Sequence, residues 1–210
     1  MLFHPFLYKL RRSSQIYRDF LRLGKKEYAV SRILYTGVIA MVWAGSVLAQ
    51  GVLEIPEDAQ VQLLIKGLSY NSKLKGANLL ILSRSDNNSN RAKASTEFSG
   101  KSIKSNSCQV FDGAYTGRDN FLAVVEALGA NLVYLCDDLT PAQCKEISTI
   151  CASKGILTMS GVPALVQAGD VSMSVMADAG KPKIILSMNR VKTEGQAFSP
   201  QFLKLCKIVE

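Results

Sequence analysis

The sequence predicts an α/β protein whose mostly parallel sheet carries helices on both faces and ends in an antiparallel hairpin and a terminal helix. Apolar runs of strand length alternate with longer segments whose apolar residues recur every three or four positions. Near the end of the chain, two strand-like segments follow each other directly. Because helical crossovers between parallel strands are right-handed, the expected arrangement is the three-layer one of Rossmann and flavodoxin-like folds.

The first half of the domain is predicted from a helix start signal and buried strand patterns. Pro56 lies in the first turn of a helix, where Glu57 and Asp58 face the positive end of the helix dipole. Apolar runs flanked by polar residues are typical of buried parallel strands. The predicted elements here are a helix over 56–70, strands over 77–82 and 108–111, and a short helix over 91–99.

The second half repeats this pattern with clearer boundaries. Gly129 ends one predicted helix, while Thr140 and Pro141 are the cap and first residue of the next. The segment 178–182 is typical of a hairpin turn. The predicted elements are helices over 119–128 and 141–154, strands over 131–136, 156–159, 171–176 and 183–188, and a terminal helix from Ser199 that includes Val209.

Residues 1–49 differ from the rest of the chain in charge and hydropathy. They hold eight basic and two acidic side chains, a net charge of +6, and residues 33–48 contain no charged side chain. A basic segment, an apolar segment and small residues before a cleavage point form the pattern of a secretory signal. We predict cleavage between Ala49 and Gln50, which leaves one exported domain over 50–210. An uncleaved membrane anchor is the alternative, although a span usually needs about 20 apolar residues.

The basic composition does not indicate a nucleic-acid partner. The whole chain has a formal net charge of +8, but most of it belongs to residues 1–49, so residues 50–210 carry only +2. Nucleic-acid binding depends on a basic surface that displaces counterions from phosphates. We therefore expect no nucleic acid among the partners of the domain.

Five cysteines lie in the predicted domain, at positions 108, 136, 144, 151 and 206. An oxidising compartment favours pairing, and an odd number leaves one cysteine over. Cys144 and Cys151 lie on one predicted helix, about 10.5 Å apart at a rise of about 1.5 Å per residue, which is too far for a disulfide. The pairing is otherwise unknown, and buried free thiols that pack as small hydrophobes are the alternative.

The domain lacks the residue patterns of common enzymes. The only histidine of the chain is His4, upstream of the predicted cleavage point, so we expect no Ser-His-Asp or Cys-His unit and no histidine metal site. Neither GxGxxG nor GxxxxGK occurs, and no two cysteines have CxxC spacing. These absences predict a non-catalytic protein without a metal or cofactor.

Four polar residues follow predicted strands. Ser83 and Arg84 follow the first strand, Asp137 the third and Ser160 the fourth. Open α/β sheets hold ligands at the carboxyl ends of their strands, so these residues are candidates for a small-ligand crevice. The alternative is that they are ordinary loop residues, and that the acidic pair Asp137 and Asp138 precedes a helix whose N-terminus favours negative charge.

An apolar segment lies just outside the fourth predicted strand. Its residues Val162, Pro163, Leu165 and Val166 are candidates for contact with a partner, because exposed apolar patches mark interaction sites. Burial of the same residues in the core is the alternative. The sequence leaves both open.

Three segments near the end of the chain resemble the YfiR-like family of periplasmic regulators. They are Ala-Gly-Asp-Val-Ser-Met at 168–173, Lys-Ile-Ile-Leu-Ser-Met-Asn at 183–189, and the serine-rich turn and terminal helix at 198–209. The opening segment 55–68 also resembles the first helix of the family. Some relatives carry a cysteine pair where this chain has Met-Ser-Gly at 159–161, so a family disulfide cannot be carried over.

This resemblance implies a periplasmic protein that binds and represses the periplasmic sensor part of an inner-membrane signalling enzyme, typically a diguanylate cyclase. Repression by binding requires a higher affinity for the inactive state of the partner. A homodimer is compatible with the resemblance. Two other functions compete with it: a solute-binding module that uses the crevice, and a thiol enzyme, which would need an accessible cysteine in electropositive surroundings.

Overall fold

The computed structural model describes residues 55–210, and the predicted cleavage site between Ala49 and Gln50 lies outside this range. The described residues belong to one compact unit. In chain order the elements are α1 (Glu57–Leu68), β1 (Asn78–Ser83), α2 (Ser89–Phe98), β2 (Ser102–Ile103), β3 (Asn106–Ser107), β4 (Gln109–Ala114), α3 (Arg118–Leu128), β5 (Leu132–Leu135), α4 (Pro141–Lys154), β6 (Leu157–Ser160), α5 (Pro163–Gln167), β7 (Met173–Asp178), β8 (Lys181–Ser187), α6 (Met188–Thr193), α7 (Pro200–Leu203) and β9 (Lys207–Val209).

Seven strands form one sheet in the order β4-β1-β5-β6-β7-β8-β9. Strands β4, β1, β5, β6 and β7 run parallel, β8 is antiparallel to β7, and β9 is parallel to β8. The chain passes from β1 to one neighbour, β4, and then back to the other neighbour, β5, so the strand order reverses at β1. The predicted α/β fold with a mostly parallel sheet is confirmed.

The sheet separates two apolar cores. Successive side chains of a strand point to opposite faces, so Leu79 and Ile81 of β1 pack with α1 and α2, while Leu80 and Leu82 pack with α3 and α4. All four side chains are buried. The three layers predicted from the sequence follow from this alternation.

The boundaries of α4 have a local cause in the sequence. The Thr140 hydroxyl accepts a hydrogen bond from the backbone N–H of Gln143, and the Gln143 side chain accepts one from the Thr140 N–H at 3.0 Å. This reciprocal pair is a capping box. Gly155 ends the helix in the left-handed conformation, with φ 70°.

The predicted terminal helix is wrong in extent. The Ser199 hydroxyl caps α7, but this helix ends at Leu203, and Lys207–Val209, predicted as helix, forms β9. The outer edge of β8 presents backbone N–H and C=O groups that need partners. The last residues of the chain pair with this edge as a strand, so the hydrogen-bonding groups of both segments are satisfied. The buried side chains of Phe202 and Cys206 hold this segment against the sheet.

Several short elements escaped the sequence analysis. They are the β2–β3 hairpin, α5 and α6. The predicted hairpin of β7 and β8 is confirmed, and its turn places Ala179 and Gly180 at positive φ. None of the helices within residues 55–210 is long and apolar enough to cross a membrane.

Candidate ligand-binding cleft

A cleft of about 750 Å³ opens at the carboxyl-terminal edge of the sheet. It lies above the ends of β5 and β6, between the start of α1 and the β7–β8 hairpin. Strand β6 ends at Ser160, whereas β7 continues to Asp178, so the hairpin projects past the neighbouring strand and forms one wall. Ligands of doubly wound sheets bind at this edge.

The floor of the cleft is formed by Tyr134, Gln60 and Gly161. A Cβ atom at Gly161 would lie 2.7 Å from the Tyr134 hydroxyl oxygen and 3.0 Å from Gln60 Oε1. The absence of a side chain at Gly161 therefore keeps these two polar groups open to the cleft. The Tyr134 ring is fixed from below by an edge-to-face contact with Phe98, with ring centroids 5.7 Å apart.

The Tyr134 hydroxyl stays protonated. Burial raises the pKa of Tyr134 above its usual range, the nearby Cys136 and Glu57 raise it further, and a hydrogen bond with the backbone of Gly161 opposes the shift. A neutral phenol both donates and accepts hydrogen bonds. Tyr134 can therefore bind either kind of polar ligand atom.

Charged side chains form the rim of the cleft near α2. The Asn90 amide donates to the Asp137 carboxylate at 2.9 Å, which holds that carboxylate at the mouth. Glu57 and Lys93 line the same side. Burial raises the pKa of Glu57, Lys93 opposes the shift, and the negative charges of Asp137 and Glu97 add to it.

The opposite side of the cleft is apolar. Val175, Met176 and Ala177 come from the projecting part of β7, and Val162 and Pro163 come from the start of α5. The cleft thus combines one polar side, a polar floor and one apolar side. Small-molecule sites commonly have this composition.

The crevice between β1 and β5, where the strand order reverses, is filled by the chain itself. The Asp138 carboxylate accepts hydrogen bonds from the backbone N–H groups of Arg84 at 3.0 Å and Ser85 at 3.3 Å. Burial opposes its charged form, but the Asn88 side chain and these backbone amides outweigh burial and lower the pKa of Asp138. Amides that could bind an anionic ligand are therefore satisfied by Asp138.

The four predicted crevice residues do not form one site. Asp137 lines the cleft, and Arg84 lies exposed in the loop after β1, outside the cleft lining. Ser83 and Ser160 are fully buried, so their assignment to a crevice needs correction. The Ser83 hydroxyl donates to the Ser85 carbonyl at 2.7 Å, and the Ser160 hydroxyl donates to the Leu135 carbonyl at 2.8 Å.

The four candidates for partner contact are also divided. Val162 and Pro163 are half-buried at the cleft. Val166 is completely buried, and Leu165 packs against the core on the α3 and α4 face. Val162 and Pro163 line the cleft, Leu165 is half-buried outside the cleft lining, and Val166 is inaccessible to a partner or a ligand.

The five cysteines are free and buried. Cys136 lines the cleft, but burial raises its pKa to about 12, with further contributions from Asp138, Asp137 and Glu57. A reactive thiolate requires a lowered pKa. Cys136 therefore lacks the lowered pKa of a reactive thiolate.

No cluster of three metal-ligating side chains of the His, Cys, Asp or Glu type occurs within residues 55–210.

Most of the cleft was missed by the sequence analysis. The start of α1 and the wall from β7 are far apart in sequence, and neither carries a motif. The sequence signal that could have indicated the cleft is Gly161, a glycine directly after a strand. In the structure its φ is not positive, so the backbone conformation does not require a glycine there. A glycine of this kind marks a place where other groups approach the backbone closely.

The fold of this chain is similar to that of several solved structures. A ligand-free, open substrate binding protein with adhesive properties from Clostridium difficile superimposes with a TM-score of 0.52 over 74% of this chain and 60% of its own length, at 13% identity. An ABC domain in complex with L-Trp from Streptococcus pneumonia superimposes with a TM-score of 0.52 over 73% of this chain and 60% of its own, at 16% identity. A conserved domain protein from Vibrio cholerae superimposes with a TM-score of 0.52 over 75% of this chain and 61% of its own, at 9% identity.

These similarities show a shared fold. The chain spans about 60% of the length of these structures. No family model matches the chain, and no curated protein matches it.

Proposed function

We propose that this chain is an exported, non-catalytic binding protein that holds a small ligand in the cleft beside Tyr134 and Gly161. The observation that carries the proposal is the cleft itself, whose volume of about 750 Å³ lies within the roughly 300–1,000 Å³ of typical small-molecule sites. Its position at the carboxyl ends of parallel strands is the usual one for ligands of this fold.

The lining of the cleft suits a ligand with a polar and an apolar part. The Tyr134 hydroxyl and the Gln60 amide oxygen supply hydrogen bonds at the floor, and Glu57 and Asp137 supply negative charge at the rim, with Lys93 as the opposing cation. Met176 and its neighbours on β7 contact the apolar part. One of the similar structures is a substrate binding protein and another holds L-Trp, which supports the same proposal.

The test uses a substitution that fills the floor of the cleft. Gly161→Ala keeps an ordinary backbone conformation but places a methyl group 2.7 Å from the Tyr134 hydroxyl oxygen, so the Tyr134 and Gln60 side chains must shift. Residues 50–210 are screened by thermal shift against a panel of amino acids, small amines, polyols and nucleosides. We expect at least one compound to raise the melting temperature of the unsubstituted domain, because a ligand that binds only the folded state stabilises it. The shift is expected to be lost in Gly161→Ala.

A matched control is Gly113→Ala. Gly113 also lies outside the positive-φ region, and a Cβ atom there meets nothing within 4 Å. This variant should keep the full ligand-induced shift. A panel without any stabilising compound, or equal shifts in the two variants, would contradict the proposal.

A second function, repression of an inner-membrane signalling enzyme such as a diguanylate cyclase, is the one that the resemblance implies. The specific observation in its favour is the half-buried apolar rim of Val162 and Pro163, which stands beside the projecting hairpin and is accessible to a partner. A partner held there would also sense whether the cleft is filled.

The second function is tested in cells. Deletion of the gene should raise cyclic di-GMP if the protein represses a cyclase. The full chain should restore the level, whereas a version without residues 1–49 should not, because it would remain in the cytoplasm. An unchanged cyclic di-GMP level on deletion would exclude a diguanylate cyclase as the partner, and it would not affect the ligand-binding proposal.

A further inference from the structure

The charged residues of the domain are divided between the two edges of the sheet. Five exposed or half-exposed lysines lie at the amino-terminal edge: Lys73 and Lys75 before β1, Lys101 and Lys104 between α2 and β4, and Lys192 in the last turn of α6. We call these five residues the basic edge. The connecting segments at the opposite edge hold Asp86, Asp137 and Asp138 against Arg84 alone.

Hydrogen bonds join the segments that carry the basic edge. The Lys104 amine donates to the carbonyl of Asn71, and the Asn71 amide donates to the Gln196 side chain at 3.0 Å. The Ser72 N–H donates to the Ala197 carbonyl at 2.8 Å. These hydrogen bonds connect three chain segments, which lie before β1, after α2, and in and after the last turn of α6, and the segments carry the five lysines.

Few acids compensate the charge of the basic edge. Segments 69–77 and 99–108 contain no acidic residue, and the half-exposed Asp170 of this edge lies in a separate segment, the connection from α5 to β7. Glu194 is fully buried and pairs with Arg190 at 2.8 Å, so it does not reach the surface. Glu210 lies on the side of α5 and α6, beside Gly169 and Asn189. The lysine charges are thus left to interact with an external anion.

An exposed aromatic ring lies beside the basic edge. Tyr70 is 40% exposed, and the inner face of its ring stacks on Phe202 with the centroids 5.0 Å apart. Its carbonyl accepts from the Ser199 N–H at 3.1 Å, so it is tied to the segment that also holds Asn71. Tyrosine rings with an apolar body and a polar tip are enriched at the headgroup level of membranes.

We propose that the basic edge docks on the surface of an anionic phospholipid bilayer. Lysines are compact point charges, and their spread over three segments matches the diffuse negative charge of a membrane surface. Recognition of discrete phosphates in a nucleic acid would favour the planar fork of arginine, and the arginine of this edge, Arg190, is held by Glu194. Docking leaves the cleft at the opposite edge open to solution.

The experiment measures cosedimentation of residues 50–210 with lipid vesicles. This part is chosen because the described residues form one compact unit with two cores of their own, and because residues 33–48 are apolar enough to bind lipid by themselves. Vesicles of phosphatidylcholine alone are compared with vesicles that also contain phosphatidylglycerol. We expect binding to the anionic vesicles only, and weaker binding at high salt because salt screens exposed charges.

The variant Lys73→Gln, Lys75→Gln, Lys192→Gln removes three charges whose side chains make no hydrogen bond within residues 55–210. Each lysine near an anionic surface contributes about fivefold to the affinity, so the triple variant should bind roughly a hundredfold more weakly. Its melting temperature and its cleft should be unchanged, because neither depends on these side chains.

A control variant removes the same charge elsewhere, by Arg118→Gln, Lys145→Gln and Lys181→Gln, all exposed in the structure. It should keep its affinity for anionic vesicles. Equal losses in the two variants would overturn the assignment to the basic edge. Wild-type protein that binds neutral and anionic vesicles alike, or that binds duplex DNA or polyglutamate more tightly than vesicles, would overturn the assignment to a membrane. Neither result depends on whether the cleft binds a ligand.

Discussion

A buried, hydrogen-bonded carboxylate at one edge of the sheet contrasts with an open polar cleft at the other edge. At the amino-terminal edge, Glu194 is fully buried and accepts hydrogen bonds from the Thr158 hydroxyl and the Ser172 hydroxyl, each at 2.6 Å, and from Arg190 at 2.8 Å. At the carboxyl-terminal edge, Glu57 and Asp137 line an open cleft. The cluster around Glu194 joins α4, β6, α6 and the segment before β7, whereas the cleft keeps its polar groups accessible.

The cluster around Glu194 contributes to stability, whereas the cleft residues remain accessible to a ligand. A buried carboxylate is tolerated only when it is paired and fully hydrogen-bonded, and Glu194 meets this requirement. The polar groups that line the cleft can hydrogen-bond to water when no ligand is bound, so leaving the cleft empty costs little free energy. Substitutions around Glu194 should therefore change the free energy of unfolding more than substitutions at the carboxyl-terminal edge.

The largest effect is expected at Glu194. Glu194→Ala leaves the Arg190 charge, whose side chain is 12% exposed, without its partner. Loss of one member of a buried pair costs about 3–5 kcal/mol, measured as the free energy of unfolding in urea. The matched control is Glu126→Ala, which breaks the exposed pair with Lys154. Little change is expected there, and equal costs for the two variants would show that burial of the Glu194 pair does not contribute to stability.

A smaller effect is expected at Asp138, on the other edge. Asp138→Ala removes the acceptor of two backbone N–H groups, but these lie in an exposed loop and can bind water instead, so we expect a loss of about 1 kcal/mol. The pKa of Asp138 is lowered in the folded state, so its contribution is present above the unfolded pKa and is lost as the pH falls through the folded value. Asp138→Asn should therefore flatten the acid end of the stability curve. An unchanged acid end would show that the carboxylate does not hold the loop.

The smallest effect is expected at Glu57, and it has the opposite sign. Its pKa is raised by burial above the ordinary 4.5, so the folded domain holds this proton more tightly than the unfolded chain does. The free energy of unfolding therefore falls as the pH rises through the window above 4.5. Glu57→Gln should be slightly more stable than the wild type at neutral pH, and the difference should vanish at low pH. Chemical unfolding across this pH range checks it, and a variant that is less stable at neutral pH would contradict the burial argument.

The elements that were predicted well have local causes. The capping box at Thr140 and the left-handed Gly155 fix both ends of α4 within a few residues of sequence. The hairpin turn at Ala179 and Gly180 is equally local. Asp137 was placed at the correct edge because the end of β5 could be located from its apolar run alone.

The errors come from contacts between distant parts of the chain. Ser83 and Ser160 follow apolar runs and resemble ligand-binding residues, but the loops after β1 and β6 fold back and bury them. Val166 was considered as a contact residue, although α5 turns it into the core. A short sequence pattern does not indicate whether a loop folds back over the strand that it follows.

The sequence by itself determined the alternation of strands and helices, the parallel sheet with its final hairpin, and the absence of a histidine in the domain, because periodicity and composition are properties of short segments. The tertiary structure alone decided that Lys207–Val209 is a strand, since only the free edge of β8 supplies its hydrogen-bond partners. It also decided the cleft and the basic edge. Both are formed by segments that are far apart in sequence and meet only because the strand order brings their ends together.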